Sequence, residues 1–272
     1  MGAALAAPLL FYLVLFLAFP TVYALKLAFT DALTGTFPSW ANFHTLWRDA
    51  LFWRALWGNI ILPVLGVTVE LVVGLALALL FATRFPGRRF LRPVVIVPFA
   101  LPEIVFLTIM RYVLAPRGYA NAALIAAGLS SVDWLLPGRV VTFLAVVAVD
   151  AWHVTPVVFL MLLAALTSIP EELTEAAKLD GARGWARFAF ITLPLLRPAL
   201  AAAVLLRGLD ALRLFATPLV LTGVEGIPVL STYAFHQWSD YGNDGAAAAA
   251  ASLLALLSVT LSIPLLRRRV AP

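Results

Sequence analysis

The stretch that decides the fold is residues 167–194, TSIPEELTEAAKLDGARGWARFAFITLP, which separates two apolar segments. Residues 140–163 precede it and residues 199–221 follow it, and each segment is long enough to cross about 30 Å of hydrocarbon. Four more segments of this kind occur at residues 5–25, 60–81, 94–114 and 246–266. The six segments together predict an all-α membrane protein with six transmembrane helices.

The composition supports a membrane protein and excludes several other classes. Hydrophobic residues make up 63% of the chain and charged residues 12%, whereas soluble domains carry about 25% charged residues. The net charge of +5 does not indicate nucleic-acid binding, because the basic residues cluster in short loops between apolar segments. The chain has no cysteine, which excludes a disulfide framework and a thiolate metal site.

The distribution of lysine and arginine predicts the orientation of the chain. Two loops, residues 82–93 and 164–198, and the C-terminal tail hold eleven of the nineteen basic residues. These three segments share one side of the membrane if there are six spans, and basic residues favour the cytoplasmic side. Both termini are therefore expected to be cytoplasmic, in a multi-pass protein of the inner membrane.

The loop after residue 167 carries structure of its own. Ser168 is a plausible N-cap, and Glu171 stands three residues later, as in a capping box. Gly181 can end the resulting helix in a left-handed conformation. A second short helix is predicted at residues 185–191, running up to Pro194. The pattern predicts a helix–turn–helix at the cytoplasmic face.

This loop also resembles a motif of a known family. The EAA loop of ABC importer permeases has the residue types and spacing found here at Glu175, Ala176, Ala177, Gly181, Ile191, Leu193 and Pro194. The resemblance implies the type I ABC importer (MetI-like) permease fold, in which this loop docks into a cleft of the ATPase subunit. It further implies that Glu175 makes a polar contact there, that the two alanines allow close approach, and that Gly181 forms the turn.

Other segments are similar to the branch of that family that serves sugars. They include residues 90–93 (FLRP), 150–152 (DAW) and 207–215 (RGLDALRLF), whereas residues 221–228 (LTGVEGIP) depart from the Gly-Gly-Pro that usually follows Leu-Thr-Gly. The resemblance implies the permease subunit of an ATP-driven, binding-protein-dependent importer for a sugar or related polyol. Its implied partners are a second homologous permease, two copies of a cytoplasmic ATP-binding subunit, an extracytoplasmic solute-binding protein and the lipid bilayer.

The resemblance also implies a domain division. Residues 1–55 would form an N-terminal transmembrane helix and outer loop. Residues 56–267 would form the permease domain, with the coupling loop at residues 167–197.

Ionisable side chains within the apolar segments need a reason, because burying charge in a membrane is costly. The candidates for a solute path are Glu103, Asp150, His153, Arg207, Asp210 and Arg213. They could line a polar cavity for sugar hydroxyls, or they could pair with one another and fix helix packing. Residues 207, 210 and 213 are three apart, which predicts one charge ladder with Asp210 pairing to either arginine. Glu70 is expected to be a structural or subunit-interface residue.

Proline positions predict bends in two of the spans. Pro98 and Pro102 would kink the third span, and Pro156 would kink the fourth. Such bends could act as hinges, and local packing explains them equally well.

The sequence lacks the motifs of the main alternative functions. It contains no Gly-x4-Gly-Lys-Ser/Thr phosphate loop and no catalytic constellation, so no catalytic residue and no cofactor are expected. The three histidines, His44, His153 and His236, are far apart, so no metal site is expected. An ion-coupled secondary carrier using the buried acids is the main alternative; a membrane-embedded enzyme and a purely structural subunit are the others.

Overall fold

The computed structural model contains helices and connecting loops, and no strand, over the residues that it describes: 2–83, 85–170, 172–173, 175 and 184–270. The α-helices in chain order are α1 (Gly2–Leu13), α2 (Phe19–Ala28), α3 (Ala41–Arg48), α4 (Ala50–Ala82), α5 (Arg88–Ala100), α6 (Glu103–Val113), α7 (Tyr119–Ala126), α8 (Val140–Thr167), α9 (Trp185–Arg187), α10 (Leu193–Leu212), α11 (Ala216–Thr222), α12 (Leu230–Ser239) and α13 (Asp244–Val270). Two π-helical segments, Val14–Ala18 and Phe188–Thr192, continue α1 into α2 and α9 into α10.

The helices supply the six spans that the sequence predicts. Those long and apolar enough to cross a membrane are Ala7–Ala28, Ala50–Ala82, Val140–Thr167, Trp185–Leu212 and Asp244–Leu261. A sixth span is obtained when α5 and α6 are counted together, because this pair is apolar enough but bent by 98°. The bend falls at Leu101–Pro102, as the proline predicts. Helix α8 continues through Pro156.

The predicted boundaries of the fifth span, 199–221, are wrong at both ends. The helix begins at Trp185, so the short helix predicted at residues 185–191 is the start of the span. Pro194 has no backbone N–H and cannot donate an α-helical hydrogen bond. The π-helical segment just before it accommodates this missing hydrogen bond, and the helix continues. At the other end the helix stops at Leu212, and residues 216–222 form the separate helix α11.

The second span also starts earlier than predicted. Residues 26–59 were expected to form an outer loop, but α3 and the first residues of α4 are helical there. With a rise of about 1.5 Å per residue, α4 is about 50 Å long and exceeds the hydrocarbon thickness.

The chain forms two compact units, and the first consists of Met1–Asn59 with Ile227–Pro272. Its core contains alanines at the start of α13, packed with large side chains that include Phe52 and Tyr233. Small residues let helix backbones approach closely. The alanine run at 246–250 is thus buried within this chain.

Asn42 fixes the end of the first span in this unit. Its Nδ2 donates to the carbonyl oxygens of Leu27, Ala28 and Thr30 at 3.3, 3.0 and 2.8 Å. The last carbonyls of a helix have no partner within the helix, and this amide serves as one. Gly245 lies against it, since a Cβ there would come within 2.6 Å of the Asn42 side chain.

The second unit, Ile60–Gly226, holds the core that positions the candidate site. Helices α4, α8 and α10 contribute Ala78, Phe81, Val158, Phe159, Leu162, Leu163 and Ala203. Gly74 of α4 lies against α8, because a Cβ there would be 2.8 Å from the Val158 side chain. This contact fixes the spacing of the two helices that carry Glu70 and Asp150.

Candidate functional site

A cavity of about 310 Å³ in the second unit brings the predicted solute-path residues together. It is bounded by the α5–α6 break, by α8, and by the end of α10 with the start of α11. Its ionisable lining residues are Glu103, Asp150, His153, Arg207, Asp210 and Arg213. All six predicted solute-path residues therefore line one space, which we call the ionisable cavity.

Arg207 is the best-connected charged residue of the cavity. Its Nε donates to Oε2 of Glu70 at 2.7 Å and its Nη2 donates to Oε1 at 3.1 Å. Its Nη1 donates to Oδ2 of Asp210. Glu70 is fully buried and Arg207 is 4% exposed, whereas the Asp210 side chain is 62% exposed. One guanidinium thus joins a buried carboxylate to a carboxylate that faces the cavity.

The predicted charge ladder forms only in part. Asp210 pairs with Arg207, as the i, i+3 spacing predicts. Arg213 follows the last residue of α10, is exposed, and makes no ion pair within the described part of the chain. Helix α10 ends at Leu212, so Arg213 does not continue the helical row of Arg207 and Asp210. The predicted charge ladder is therefore wrong for Arg213.

Glu70 is the buried partner of Arg207, which was not predicted from the sequence. The two residues are 137 positions apart, and no local spacing links them. A signal was nevertheless present, because Glu70 is the only ionisable residue of its predicted span and the fifth span has two arginines for one aspartate, and such unbalanced charges are costly until they pair. The structural role expected for Glu70 agrees with this position.

Asp150 approaches the same region from α8. Its Oδ1 accepts a 2.8 Å hydrogen bond from Oγ1 of Thr217, and both residues are buried. A Cβ at Gly66 would lie 3.8 Å from Asp150 Oδ2 and 3.9 Å from Glu70 Oε1. Gly66 therefore lies next to both carboxyl groups, at ordinary van der Waals contact distance.

His153 lies one turn beyond Asp150 on α8. Its ring stacks on Phe106 with centroids 4.8 Å apart and an interplanar angle of 29°. Its Nε2 is buried and has no hydrogen-bond partner among the residues described. Buried polar atoms are nearly always partnered, so this nitrogen is an exception in a residue that lines the cavity.

Glu103 completes the acidic wall. It is the first residue of α6, directly after the break at Pro102, and its side chain is exposed. A carboxylate at that position is favoured by the amides of the first helical turn. With Glu70, Asp150 and Asp210, the cavity region has four carboxyl groups against two guanidinium groups.

The sequence matches the model of a known protein family. Residues 70–272 match the family described as the binding-protein-dependent transport system inner membrane component, a match that covers well over half of the sequence. The chain belongs to this permease family. It is therefore a multi-pass transport subunit and not an enzyme, and the ion-coupled carrier considered as an alternative is not supported.

Curated relatives of this permease agree with that assignment. It is 36% identical over 217 residues to the trehalose/maltose transport system permease protein of Thermococcus litoralis, covering 77% of this chain and 72% of the relative. It is 34% identical to the trehalose transport system permease protein of Mycobacterium tuberculosis, covering 80% and 72%.

A solved structure supports the predicted fold. The permease aligns with a chain of a bacterial ABC transporter involved in the import of the acidic polysaccharide alginate, with a TM-score of 0.88, 23% identity and coverage of 99% and 96%. The all-α type I permease fold is confirmed.

The predicted coupling residues of the permease are only partly described. Glu175 lies in a helical position and is exposed, whereas Ala176, Ala177 and Gly181 lie outside the described residues. Ile191 is half-buried in the π-helical segment, and Leu193 and Pro194 begin α10. The three described C-terminal positions of the motif therefore lie within the helix of the fifth span, Trp185–Leu212.

Proposed function

We propose that this permease imports a neutral sugar or related polyol through the ionisable cavity. The observation that carries the proposal is the convergence of Glu103, Asp150, His153, Arg207, Asp210 and Arg213 on one space of about 310 Å³. Carboxylates accept and guanidinium groups donate hydrogen bonds, so such a wall can bind hydroxyl groups from several directions. The sugar-related names of the relatives support the same substrate class.

The charge balance favours a neutral solute over an acidic one. Arg207 is occupied by Glu70 and Asp210, so its charge is already compensated. Arg213 alone then faces Glu103 and Asp150. An anionic sugar would meet more carboxylates than cations, and like charges in a region of low dielectric repel strongly. A neutral polyol avoids that repulsion and can still accept and donate hydrogen bonds.

Membership of the permease family supports the proposed partners. The permease would pair with a second homologous permease, bind two copies of an ATP-binding subunit and receive solute from an extracytoplasmic binding protein. Residues 167–197 would be the coupling loop, with Glu175 and Gly181 contacting the ATPase. Because that loop leads into the helix that carries Arg207 and Asp210, movement of the loop would reach the cavity wall along α10.

The orientation is part of the same proposal. Both termini would be cytoplasmic, as the arginine distribution favours. A reporter fused after Arg269 should be active on the cytoplasmic side, and an external signal would contradict this topology. The division into residues 1–55 and 56–267 stays a prediction, and its boundary falls within α4.

The test is uptake by the assembled transporter in liposomes, with its ATPase, partner permease and binding protein. We expect ATP-dependent entry of maltose or trehalose, and no entry of an oligouronate of similar size. His153→Ala and Asp150→Asn should each lower sugar uptake about tenfold or more, because the first removes a hydrogen-bonding group from the wall and the second replaces a charged acceptor with a neutral amide.

Asp133→Asn is the matched control for these variants. Asp133 carries an exposed carboxylate that is paired with Arg139 at 3.3 Å and is not part of the cavity lining. Sugar uptake by the Asp133→Asn transporter should equal that of the wild type. Full uptake by both cavity variants, or no ATP-dependent uptake of any neutral sugar, would contradict the proposal.

A further inference from the structure

A second cavity, of about 600 Å³, lies where α4 ends and α5 begins. Its wall includes Phe85, Arg88, Arg89, Arg92, Pro93 and Ile96, none of which lines the ionisable cavity. Gly87 makes the tight turn between the two helices, with a φ of 82° that favours glycine. We call this space the arginine cavity.

The three arginines of this cavity have no acidic partner among the residues that the structure describes. None of Arg88, Arg89 and Arg92 forms an ion pair with a residue in the described ranges, and Arg88 makes only a 3.4 Å hydrogen bond to the carbonyl of Thr83. Like charges three or four positions apart on a helix destabilise it. An anion placed among them would remove that repulsion.

The rest of the wall is apolar. Ile96 lies eight residues beyond Arg88, which is about 12 Å along the axis of α5. Phe85 is held in place by an edge-to-face contact with Phe81, with ring centroids 5.4 Å apart. The cavity therefore changes from charged to apolar along one helix.

The arginine cavity, with its charged and apolar ends, lies at a membrane surface. Helix α4 ends at Ala82 and α5 begins at Arg88, and both belong to membrane spans, so the turn between them lies at the interface. On neighbouring positions of α5, Phe90 is 81% exposed and Val94 is 64% exposed. Exposed apolar side chains beside the arginines suit contact with acyl chains.

We infer that the arginine cavity binds an anionic phospholipid, with its phosphate among the three guanidinium groups and an acyl chain along Pro93 and Ile96. Guanidinium groups form bidentate hydrogen bonds with phosphate oxygens. Basic pockets at the ends of membrane helices bind acidic lipid headgroups. The charge complements the headgroup, and the apolar end complements the chain, which a free phosphate lacks.

The experiment is native mass spectrometry of the assembled transporter, titrated with phosphatidylglycerol or with phosphatidylcholine of the same acyl chains. The wild type should bind phosphatidylglycerol more tightly. The variant Arg89→Gln/Arg92→Gln should lose that affinity about 25-fold, since each arginine near an anionic headgroup contributes about a fivefold factor. Both side chains are exposed, so the fold should be retained.

Arg48→Gln/Arg117→Gln is the matched control, because it removes two exposed arginines from outside the cavity. It should stay within about twofold of the wild type. Any of three lipid-binding results would overturn the inference. They are equal affinity of the wild type for both lipids, equal loss in both variants, and full displacement of the lipid by inorganic phosphate at equal concentration. Failure of the Arg89→Gln/Arg92→Gln protein to retain its ATPase would also overturn it, by assigning the arginines to a protein interface.

Discussion

Glu70→Gln is the sharpest test of how the second unit is held together. The substitution preserves size but turns an amide N–H toward the guanidinium, so at least one of the hydrogen bonds at 2.7 and 3.1 Å is lost. Breaking a buried pair by removing one partner costs about 3–5 kcal/mol. Arg207 keeps Asp210 as a partner, so we expect the lower end, about 3 kcal/mol. That loss corresponds to a melting temperature lower by about 6–12 °C.

The assay is thermal unfolding of the purified permease in detergent, with three variants compared. Asp210→Asn is the matched control, because its 62% exposed side chain should cost under about 1 kcal/mol. Glu70→Leu/Arg207→Met should return to within about 1 kcal/mol of the wild type, since it leaves no stranded charge. A Glu70→Gln protein that melts within about 2 °C of the wild type would refute the stabilising role of this pair, as would an Asp210→Asn protein whose melting temperature falls as far as that of Glu70→Gln.

Three further predictions concern other parts of the chain. Glu175→Ala and Gly181→Val should leave membrane insertion intact but reduce co-purification of the ATPase; undiminished co-purification and hydrolysis in both would contradict the coupling role. Asn42→Ala should cost about 1–3 kcal/mol, because the carbonyls of Ala28 and Thr30 lose a donor, whereas that of Leu27 keeps the N–H of Thr30; a melting temperature equal to that of the wild type would contradict this. The hydrogen bond from His236 lowers the pKa of Asp240 below 3.8, so its contribution to stability is present above that pH and is lost as the pH falls through the lowered pKa. The melting difference between the wild type and Asp240→Asn should therefore shrink between pH 6 and pH 3, and a constant difference would argue against it.

Much of the fold could be predicted from hydropathy and proline positions. The break at Pro102 was predicted because proline removes a backbone donor within an otherwise apolar run. The fifth span was misplaced for the same reason, since Pro194 suggested an end where the π-helical segment allows the helix to continue. Hydropathy also could not separate Ala216–Thr222 from the span, because both are apolar.

The candidate site was predictable as a set of residues but not as a set of contacts. Ionisable residues within spans avoid lipid, so the sequence predicts that they face the protein interior. Six of them do line one cavity. The pairing of Glu70 with Arg207 depends on how α4 and α10 are arranged, which spacing along the chain does not encode. The isolation of Arg213 likewise depends on where α10 ends.

The break between α5 and α6 has a consequence for hydration. The last carbonyls of α5 and the first amides of α6 have no partner within their own helices. Hydrocarbon cannot satisfy such groups, so at this depth they need water or protein. Phe99 and Glu103, on either side of the break, both line the ionisable cavity. Water attracted to the exposed backbone ends would keep that space wet between transport cycles. An arriving polyol would then exchange its hydration shell for side chains one hydroxyl at a time, without crossing a dry barrier.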